Sequence, residues 1–320
     1  MKEKKNKSEK VLNGSCIYTP GGAAREYAAV GCNFYRGCPY QCRYCYNRHG
    51  MTAKIMGLDH ALLDDKFTSV SSRPKKYREL TGEEYAYMRF LQEVEKWQDY
   101  LRKTGIFFSF STDPFCDECF DLTWRCMCTA VKLYSIPVKV LTKNADLSAT
   151  KLVKIGMMPE KYRRLMAFGF TLTGRDDWEP FASKNFERIR LMRVLHGMGY
   201  NTFASIEPIV DFDSSYSMIE KTEKFCDQYF IGLMSSRKAN GLESYDVEAC
   251  KVFVSKVHNL MWRDYSQKKD FNRPTAIYWK ESIRKLMECD TISSDIMKEG
   301  HSSTAVGRDW SLFTGKDVII

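Results

Sequence analysis

Short β-rich segments alternate with longer helical segments along most of this chain of 320 residues. Runs rich in aromatic and β-branched residues predict strands, and apolar residues spaced three to four apart predict the helices that follow them. Strands joined by crossover helices form parallel sheets, and six such units can curl into a full or partial barrel. The alternation therefore predicts an α/β fold with a parallel, barrel-like sheet. The six predicted strands are residues 27–33, 106–112, 137–141, 165–172, 202–206 and 229–233.

The limits of this pattern divide the chain into three predicted parts. Residues 1–26 are a basic N-terminal tail and lead-in, residues 27–262 the barrel, and residues 263–320 a C-terminal extension. We find no apolar run of about 18 residues, and the lysine-rich start lacks the apolar core of a secretory signal. Twelve cysteines without such a signal favour reduced thiols, used in metal binding or catalysis. We therefore expect a cytoplasmic protein with no membrane association. We separately expect it to be a monomer.

Two segments carry much of the excess positive charge, which is +9 for the whole chain. Residues 1–10 hold five lysines against two glutamates, and residues 66–78 hold five basic residues and no acid. Basic clusters attract phosphates and release counterions, so these segments are candidates for binding nucleic acid. Solvated tails and loops can have the same composition, and a pI near 8.8 lies below the strongly basic range of nucleic-acid-binding domains. Charge alone leaves both interpretations open.

The sharpest local feature is a triplet of cysteines, Cys38, Cys42 and Cys45, in the segment GCPYQCRYC. On a helix these positions would share one face, so a buried stripe of cysteines is one interpretation. Gly37 and Pro39 disfavour a helix through the first cysteine and favour a loop that points three thiolates at one centre. Closely spaced cysteine thiolates hold iron–sulfur clusters, and three ligands would leave one iron free to bind another molecule.

This CxxxCxxC triplet, with the aromatic Tyr44 before its last cysteine, resembles the signature of the radical S-adenosylmethionine enzymes. The resemblance implies that the three cysteines hold a [4Fe–4S] cluster whose fourth iron is chelated by the amino and carboxylate groups of S-adenosylmethionine. It also implies reductive cleavage of that cofactor to a 5′-deoxyadenosyl radical, which abstracts a substrate hydrogen atom. The implied fold is a partial, TIM-like (βα)6 barrel, in agreement with the strand order read from the alternation.

Three further segments resemble the branch of the superfamily that includes spore photoproduct lyase. They are NFYRGC at 33–38, STDP at 111–114 and LTK at 141–143, and the similarity extends over roughly residues 27–233. The branch makes nucleic acid the first expectation for the substrate, and the cofactor chemistry implies an electron donor of the flavodoxin or ferredoxin type. A peptide or a small molecule is the alternative substrate. A different class also stays open, a non-enzymatic iron–sulfur or zinc module that binds nucleic acid.

The resemblance also assigns residues to the cofactor. Thr112 and Asp113 are expected at the methionine amino group, because an anionic side chain at a strand's C-terminal end suits an ammonium. Lys143, after the next strand, would pair with the methionine carboxylate. Asp113 could instead be a turn former, and Lys143 a surface charge. The full set expected to bind S-adenosylmethionine is Tyr44, Thr112, Asp113, Lys143, Thr173 and Ser205, the last two at the ribose, and Glu207, at the ribose or the substrate.

One departure from the photoproduct lyases concerns the hydrogen donor. Those enzymes carry a cysteine just before the Ser/Thr-Asp pair, where this chain has Phe110 and Ser111. Cys116 and Cys119 follow nearby and are candidate hydrogen donors to a substrate radical. Together with the cysteines at 126 and 128 they could also form a second metal site, but two cysteines two positions apart on a predicted helix point about 200° apart. Ordinary packing is the remaining interpretation of these thiols.

Overall fold

A computed structural model describes residues 11–49, 53–235, 237–267 and 276–287 of the chain. The basic tail at 1–10 and the end of the predicted extension lie outside the described residues. In chain order the strands of the described part are β1 (Ile17–Tyr18), β2 (Gly31–Cys32), β3 (Tyr35–Arg36), β4 (Leu62–Leu63), β5 (Ile106–Phe108), β6 (Val138–Thr142), β7 (Met166–Thr171), β8 (Asn201–Ile209), β9 (Gln228–Leu233) and β10 (Ala276–Trp279).

Helices follow most of these strands, as the alternation predicts. None of those in the described ranges is both long and apolar enough to cross a membrane. The longest, α3, begins after a capping box in which Thr81 and Glu84 each bond the other's backbone amide. In the same ranges the α-helices are α1 (Ala53–Met56), α2 (Asp65–Thr68), α3 (Gly82–Thr104), α4 (Phe120–Tyr134), α5 (Ala149–Gly156), α6 (Glu160–Arg163), α7 (Asn185–Gly197), α8 (Phe212–Thr222), α9 (Val247–Gln267) and α10 (Glu281–Met287).

The main sheet has the order β1-β2-β5-β6-β7-β8-β9-β10. Only the β1–β2 pair is antiparallel; all the other neighbours in it run parallel. The sheet curls so far that its ends approach each other, since the backbone amide of Glu281, after β10, donates to Glu26 Oε1, before β2, at 2.7 Å. The predicted α/β fold with a partial parallel barrel is confirmed.

The main sheet includes two strands beyond the six that the alternation predicts, the antiparallel β1 and the parallel β10. Residues 276–279, placed in the C-terminal extension by the sequence, form β10 and pair in parallel with β9. The division of the chain at residue 262 therefore stays a prediction. The described part of 263–320 nevertheless contributes β10 to the sheet, and α10 follows that strand. The predicted strand at 27–33 was too long, because Tyr27 follows a 3-10 turn over Gly22–Glu26 and only Gly31–Cys32 is paired.

Aromatic side chains fill part of the barrel interior. Phe107, Phe203 and Phe230 point inward from three strands and pack with Tyr27 and Tyr278. The ring centroids of Tyr27 and Phe230 are 4.8 Å apart. Helices cover the outside of the sheet over a second, larger apolar cluster. The aromatic cluster thus fills that part of the interior with packed rings.

The close packing of Gly169 under the Phe203 ring leads to a prediction about stability. A Cβ at Gly169 would overlap that ring, which is fully buried. We expect Gly169→Ala to lower the free energy of unfolding by about 1–3 kcal/mol, because an overpacked core must shift to admit the methyl group. Chemical denaturation measures the change. Gly156→Ala is the matched control: its Cβ meets nothing within 4 Å, so we expect no loss of stability, and an equal loss in both variants would contradict the packing argument.

Candidate active site

A cavity of about 900 Å³ opens at the C-terminal ends of the barrel strands. Its wall includes Thr142 at the end of β6, Thr171 at the end of β7, Leu233 at the end of β9 and Lys280 just after β10. Active sites of parallel barrels lie at this face because the loops after all the strands converge there. Nine of the twelve predicted site residues line the cavity, and they are Cys38, Cys42, Tyr44, Cys45, Thr112, Asp113, Lys143, Ser205 and Glu207.

The three cysteines of the motif lie on a loop, so the alternative of a helical cysteine stripe is wrong. No helix passes through residues 37–45. Gly37 has a φ of 78°, and a Cβ there would overlap the His60 carbonyl, so glycine suits this turn. The loop is held by the backbone amide of Cys38, which donates to Leu58 O at 3.1 Å, and by that of Cys45, which donates to Cys42 O at 3.1 Å.

The arrangement of the three thiols suits a cluster better than a single ion. Across the described residues no three His, Cys, Asp or Glu side chains are placed to hold one metal ion, yet Cys38, Cys42 and Cys45 all line the same cavity. An iron–sulfur cluster distributes its cysteine ligands over several irons, and thiolates are the ligands it prefers. The donor set and the space beside it therefore fit a [4Fe–4S] cluster.

Burial controls the protonation of these thiols. It raises the pKa of Cys42, and the neighbouring Lys143 ammonium offsets only part of that rise. Burial and the Asp113 carboxylate likewise raise the pKa of Cys38. Both groups are therefore thiols at neutral pH in the protein alone. Binding of a metal cluster releases their protons, because only thiolates act as ligands.

Asp113 connects the end of β5 to the end of β6. Its carboxylate accepts hydrogen bonds from the Thr142 hydroxyl at 2.7 Å, the Lys143 amide at 2.6 Å and the Phe115 amide at 3.0 Å. Burial raises its pKa, and these three donors oppose that rise. Asp113 is thus a turn former, as one interpretation held, but its side chain also lines the cavity. The buried carboxylate is oriented and faces the space beside the cysteines.

Lys143 is not a solvated surface charge. Its ammonium lies 5.7 Å from the centre of the Tyr44 ring and lines the cavity. Burial by itself would lower the pKa of Lys143, but the negative charges of Cys42, once it is ionised, and of Glu179 nearby hold that pKa above its ordinary value. The ammonium therefore stays charged at neutral pH and can pair with an anionic group in the cavity.

The opposite wall of the cavity carries a polar cluster that the sequence only partly indicates. Tyr27 donates to Glu207 Oε2 at 2.6 Å and shares a 2.6 Å hydrogen bond with Ser205. Lys280 Nζ lies 2.5 Å from the same carboxylate oxygen and 3.4 Å from Glu26. Ser205 and Glu207 were predicted, whereas Tyr27 and Lys280 were missed. Assigning β10 to the barrel would have revealed Lys280, because it directly follows that strand.

Three predicted residues do not line the cavity. Thr173 is fully buried, and its hydroxyl accepts the Arg175 amide at 3.1 Å. Cys116 and Cys119 lie in the core behind Thr112, with Cys119 Sγ 4.0 Å from the Thr112 hydroxyl. The cavity geometry does not support the ribose role of Thr173 or the hydrogen-donor role of the two cysteines. These roles stay predictions.

Comparison with known proteins reveals the fold but no sequence family. No protein-family model and no curated protein matches the chain. A point mutant of spore photoproduct lyase superposes with a TM-score of 0.51 and 11% identity, over 85% of this chain and 74% of the lyase. The lyase in complex with dinucleoside spore photoproduct gives 0.50 and 11%, over 79% of this chain and 66% of the lyase. The chain has the fold of spore photoproduct lyase.

This finding confirms the fold implied by the resemblance to the radical S-adenosylmethionine enzymes. The chain spans just under two thirds of the lyase in the complex with the dinucleoside, so the lyase's whole length is not represented. SuiB from Streptococcus suis, bound to S-adenosylmethionine, reaches a TM-score of 0.44 at 14% identity, over 85% of this chain and 58% of SuiB. That score is too low to support an argument about this chain.

Proposed function

We propose that this protein is a radical S-adenosylmethionine enzyme. The observation that carries the proposal is the convergence, at one cavity, of three loop cysteines with Asp113 and Lys143, which come from the ends of two barrel strands. Cys38, Cys42 and Cys45 would hold a [4Fe–4S] cluster. When bound, the cluster and S-adenosylmethionine together supply a 5′-deoxyadenosyl radical that removes a hydrogen atom from the substrate.

The chain's own groups bind and orient the cofactor. The Asp113 carboxylate, held by three donors, accepts hydrogen bonds from the methionine ammonium, and Thr112 lies beside it. Lys143 pairs with the methionine carboxylate. Ser205 and Glu207, on the opposite wall, accept hydrogen bonds from the ribose or from the substrate. The carboxylate of Asp113 and the ammonium of Lys143 thus match the two charged groups of the methionine part of the cofactor.

The barrel also protects the radical. The aromatic cluster inside the barrel and the curled sheet around the cavity limit the access of water and oxidants to the reacting atoms. The eleven cysteines of the described residues are all free thiols, which suits a reducing cytoplasm. The cluster would receive its electron from a donor of the flavodoxin or ferredoxin type.

Anaerobic reconstitution with iron and sulfide, followed by reductant and S-adenosylmethionine, tests the proposal. We expect a brown protein with cluster absorbance that converts S-adenosylmethionine to methionine and 5′-deoxyadenosine, quantified by liquid chromatography. A non-enzymatic iron–sulfur or zinc module would give no 5′-deoxyadenosine. That outcome, with a fully loaded cluster, would overturn the proposed function.

For the substrate we propose a nucleic acid, supported by the resemblance to the lyase branch and by the basic segment at 66–78. In this segment Arg73 is buried and donates to Phe67 O at 2.5 Å, so it supports the loop and is not available to a phosphate. Lys75, Lys76 and Arg78 are exposed. The exposed cations, rather than the whole segment, form the candidate phosphate-binding surface.

Salt dependence tests this surface. On a single strand each phosphate contact adds about 0.7 to the slope of log affinity against log salt. We therefore expect affinity for single-stranded DNA or RNA to fall steeply with salt in the wild type. The triple variant Lys75→Gln, Lys76→Gln, Arg78→Gln should reduce the slope by about two and weaken binding. Filter binding at several salt concentrations measures both. A flat salt dependence in the wild type would favour a peptide or small molecule, whose size also fits the cavity.

A further inference from the structure

A buried ionic network connects the first turn of α7 to the cysteine loop. Arg188 Nη2 lies 2.5 Å from Glu179 Oε2, and both side chains are 0% exposed. The other oxygen of Glu179, Oε1, accepts a hydrogen bond from the hydroxyl of Tyr44, which stands between Cys42 and Cys45. We infer that Glu179 and Arg188 are positioning residues that act through Tyr44 to hold the cysteine loop, and with it the cofactor site, in register with the barrel.

The network is attached to the barrel at several points. Arg188 Nη1 donates to Thr171 O at 2.6 Å, at the end of β7, and Arg188 Nε donates to Ser183 O at 2.8 Å. The backbone amide of Arg43, next to Tyr44 in the motif, donates to Trp178 O at 3.0 Å. Two consecutive residues of the motif are therefore fixed to the loop between β7 and α7, and Arg188 fixes that loop to the sheet.

Stability alone does not explain such a pair. A buried ion pair loses so much hydration that apolar residues of similar size are often equally stabilising. The position of Arg188 is also unfavourable locally, because a cation in the first turn of a helix opposes the helix dipole. The pair instead orients the Glu179 carboxylate. With Oε2 bound to Arg188, Oε1 is held where it accepts a hydrogen bond from the Tyr44 hydroxyl.

Fixing the Tyr44 hydroxyl has a consequence for the cavity. The Tyr44 hydroxyl is bonded to Glu179, and the centre of the Tyr44 ring lies 5.7 Å from the Lys143 ammonium. The chain of contacts thus runs from Arg188 through Glu179 and Tyr44 to Lys143, the group proposed to bind the methionine carboxylate. The inference rests on the proposed function, because it concerns how the cluster and S-adenosylmethionine are positioned.

The test uses the reconstituted full chain and Tyr44→Phe, which removes one hydroxyl and leaves the ion pair intact. We expect the variant to load iron and sulfide as the wild type does. Its reduced cluster should give an altered electron paramagnetic resonance spectrum, and its affinity for S-adenosylmethionine, measured from the cofactor-dependent change in that spectrum, should fall about fivefold or more. Both readouts are independent of turnover.

Tyr200→Phe is the matched control. Tyr200 is also buried and donates its hydroxyl to Ile155 O at 2.6 Å, but it does not line the cavity. It loses a comparable hydrogen bond, so a merely structural effect would appear in both variants. We expect the spectrum and the cofactor affinity of Tyr200→Phe to equal those of the wild type. If Tyr44→Phe also equals the wild type, the inference is overturned.

A second variant tests whether Glu179 acts through Tyr44. Glu179→Gln should weaken cofactor binding in the wild-type background, but it should change it by less than about twofold when added to Tyr44→Phe, because the link is already broken. Full additivity would show that Glu179 acts by another route and would overturn the inference. Failure of the proposed function looks different: the wild type itself would then form no 5′-deoxyadenosine.

Discussion

Cys42→Ala is expected to abolish the visible absorbance of the reconstituted protein and the formation of 5′-deoxyadenosine. Cys42 is the most buried of the three motif cysteines, at 5% exposure, and it lines the cavity together with the other two. The motif supplies three cysteine ligands to the proposed cluster. Replacing one of them would leave the cluster with two protein ligands. Iron content, the absorbance spectrum and product formation measure the loss.

The matched control for this change is Cys128→Ala. Cys128 lies on α4, is half-buried, and does not line the cavity. The chemical change is the same, but we expect cluster content and product formation close to those of the wild type. Equal losses in the two variants, or a full cluster in Cys42→Ala, would contradict the assignment of the motif cysteines as ligands. Circular dichroism of both variants checks that the fold is retained.

Arg188→Met is expected to lower the free energy of unfolding by about 3–5 kcal/mol. The change removes a cation that is 0% exposed and leaves the equally buried Glu179 carboxylate without its partner. It also removes two donors, at 2.6 and 2.8 Å, from buried or partly buried backbone carbonyls. Methionine fills much of the volume, so the loss reports the unpaired charge and carbonyls rather than a cavity. Denaturation by urea under anaerobic, reducing conditions measures it.

Arg175→Met is the control for this second prediction. Arg175 also pairs with carboxylates, Asp177 at 2.8 Å and Asp211 at 3.0 Å, but its side chain is 35% exposed. Water solvates the carboxylates that remain, so we expect a loss of about 1 kcal/mol or less. A similar loss in the two arginine variants would show that burial of the ion pair does not determine the cost.

Much of the barrel follows from local pattern. The apolar residues of 81–103, spaced three to four apart, predict a helix there, and α3 (Gly82–Thr104) agrees within a residue at each end. Both the cap and the apolar spacing of this helix lie in consecutive residues. The strand predicted at 106–112 ends early, at Phe108. There the Ser109 hydroxyl donates to Thr112 O at 3.1 Å and accepts the Thr112 amide at 3.3 Å, which turns the chain out of the sheet. Strand propensity did not reveal this competing turn.

The sequence indicated which residue types belong to the site better than it indicated which of them line the cavity. Lys143 follows β6 directly, so the rule that strand ends meet at one face was enough to bring it to the cavity. Asp113 lies well past Phe108, the last residue of β5, and reaches the same place by accepting hydrogen bonds from Thr142 and from the Lys143 amide. Thr173 follows β7 as well, but it lies two residues beyond the strand's last residue, Thr171, and its hydroxyl turns back to a backbone amide. Distance from the strand end therefore does not decide whether a side chain meets the cavity or the core; the hydrogen bonds made by its loop do.

By itself, the amino-acid sequence determined the alternation of strands and helices, the loop with its three cysteines, and the acid and base that follow two strands. Each of these depends on residues close together in the chain. Only the tertiary structure decided that Tyr27 and Lys280 share a carboxylate with each other, and that Arg188 reaches Tyr44 through Glu179. Such contacts join segments far apart in sequence, and their geometry exists only after the sheet has curled and the loops have closed over it.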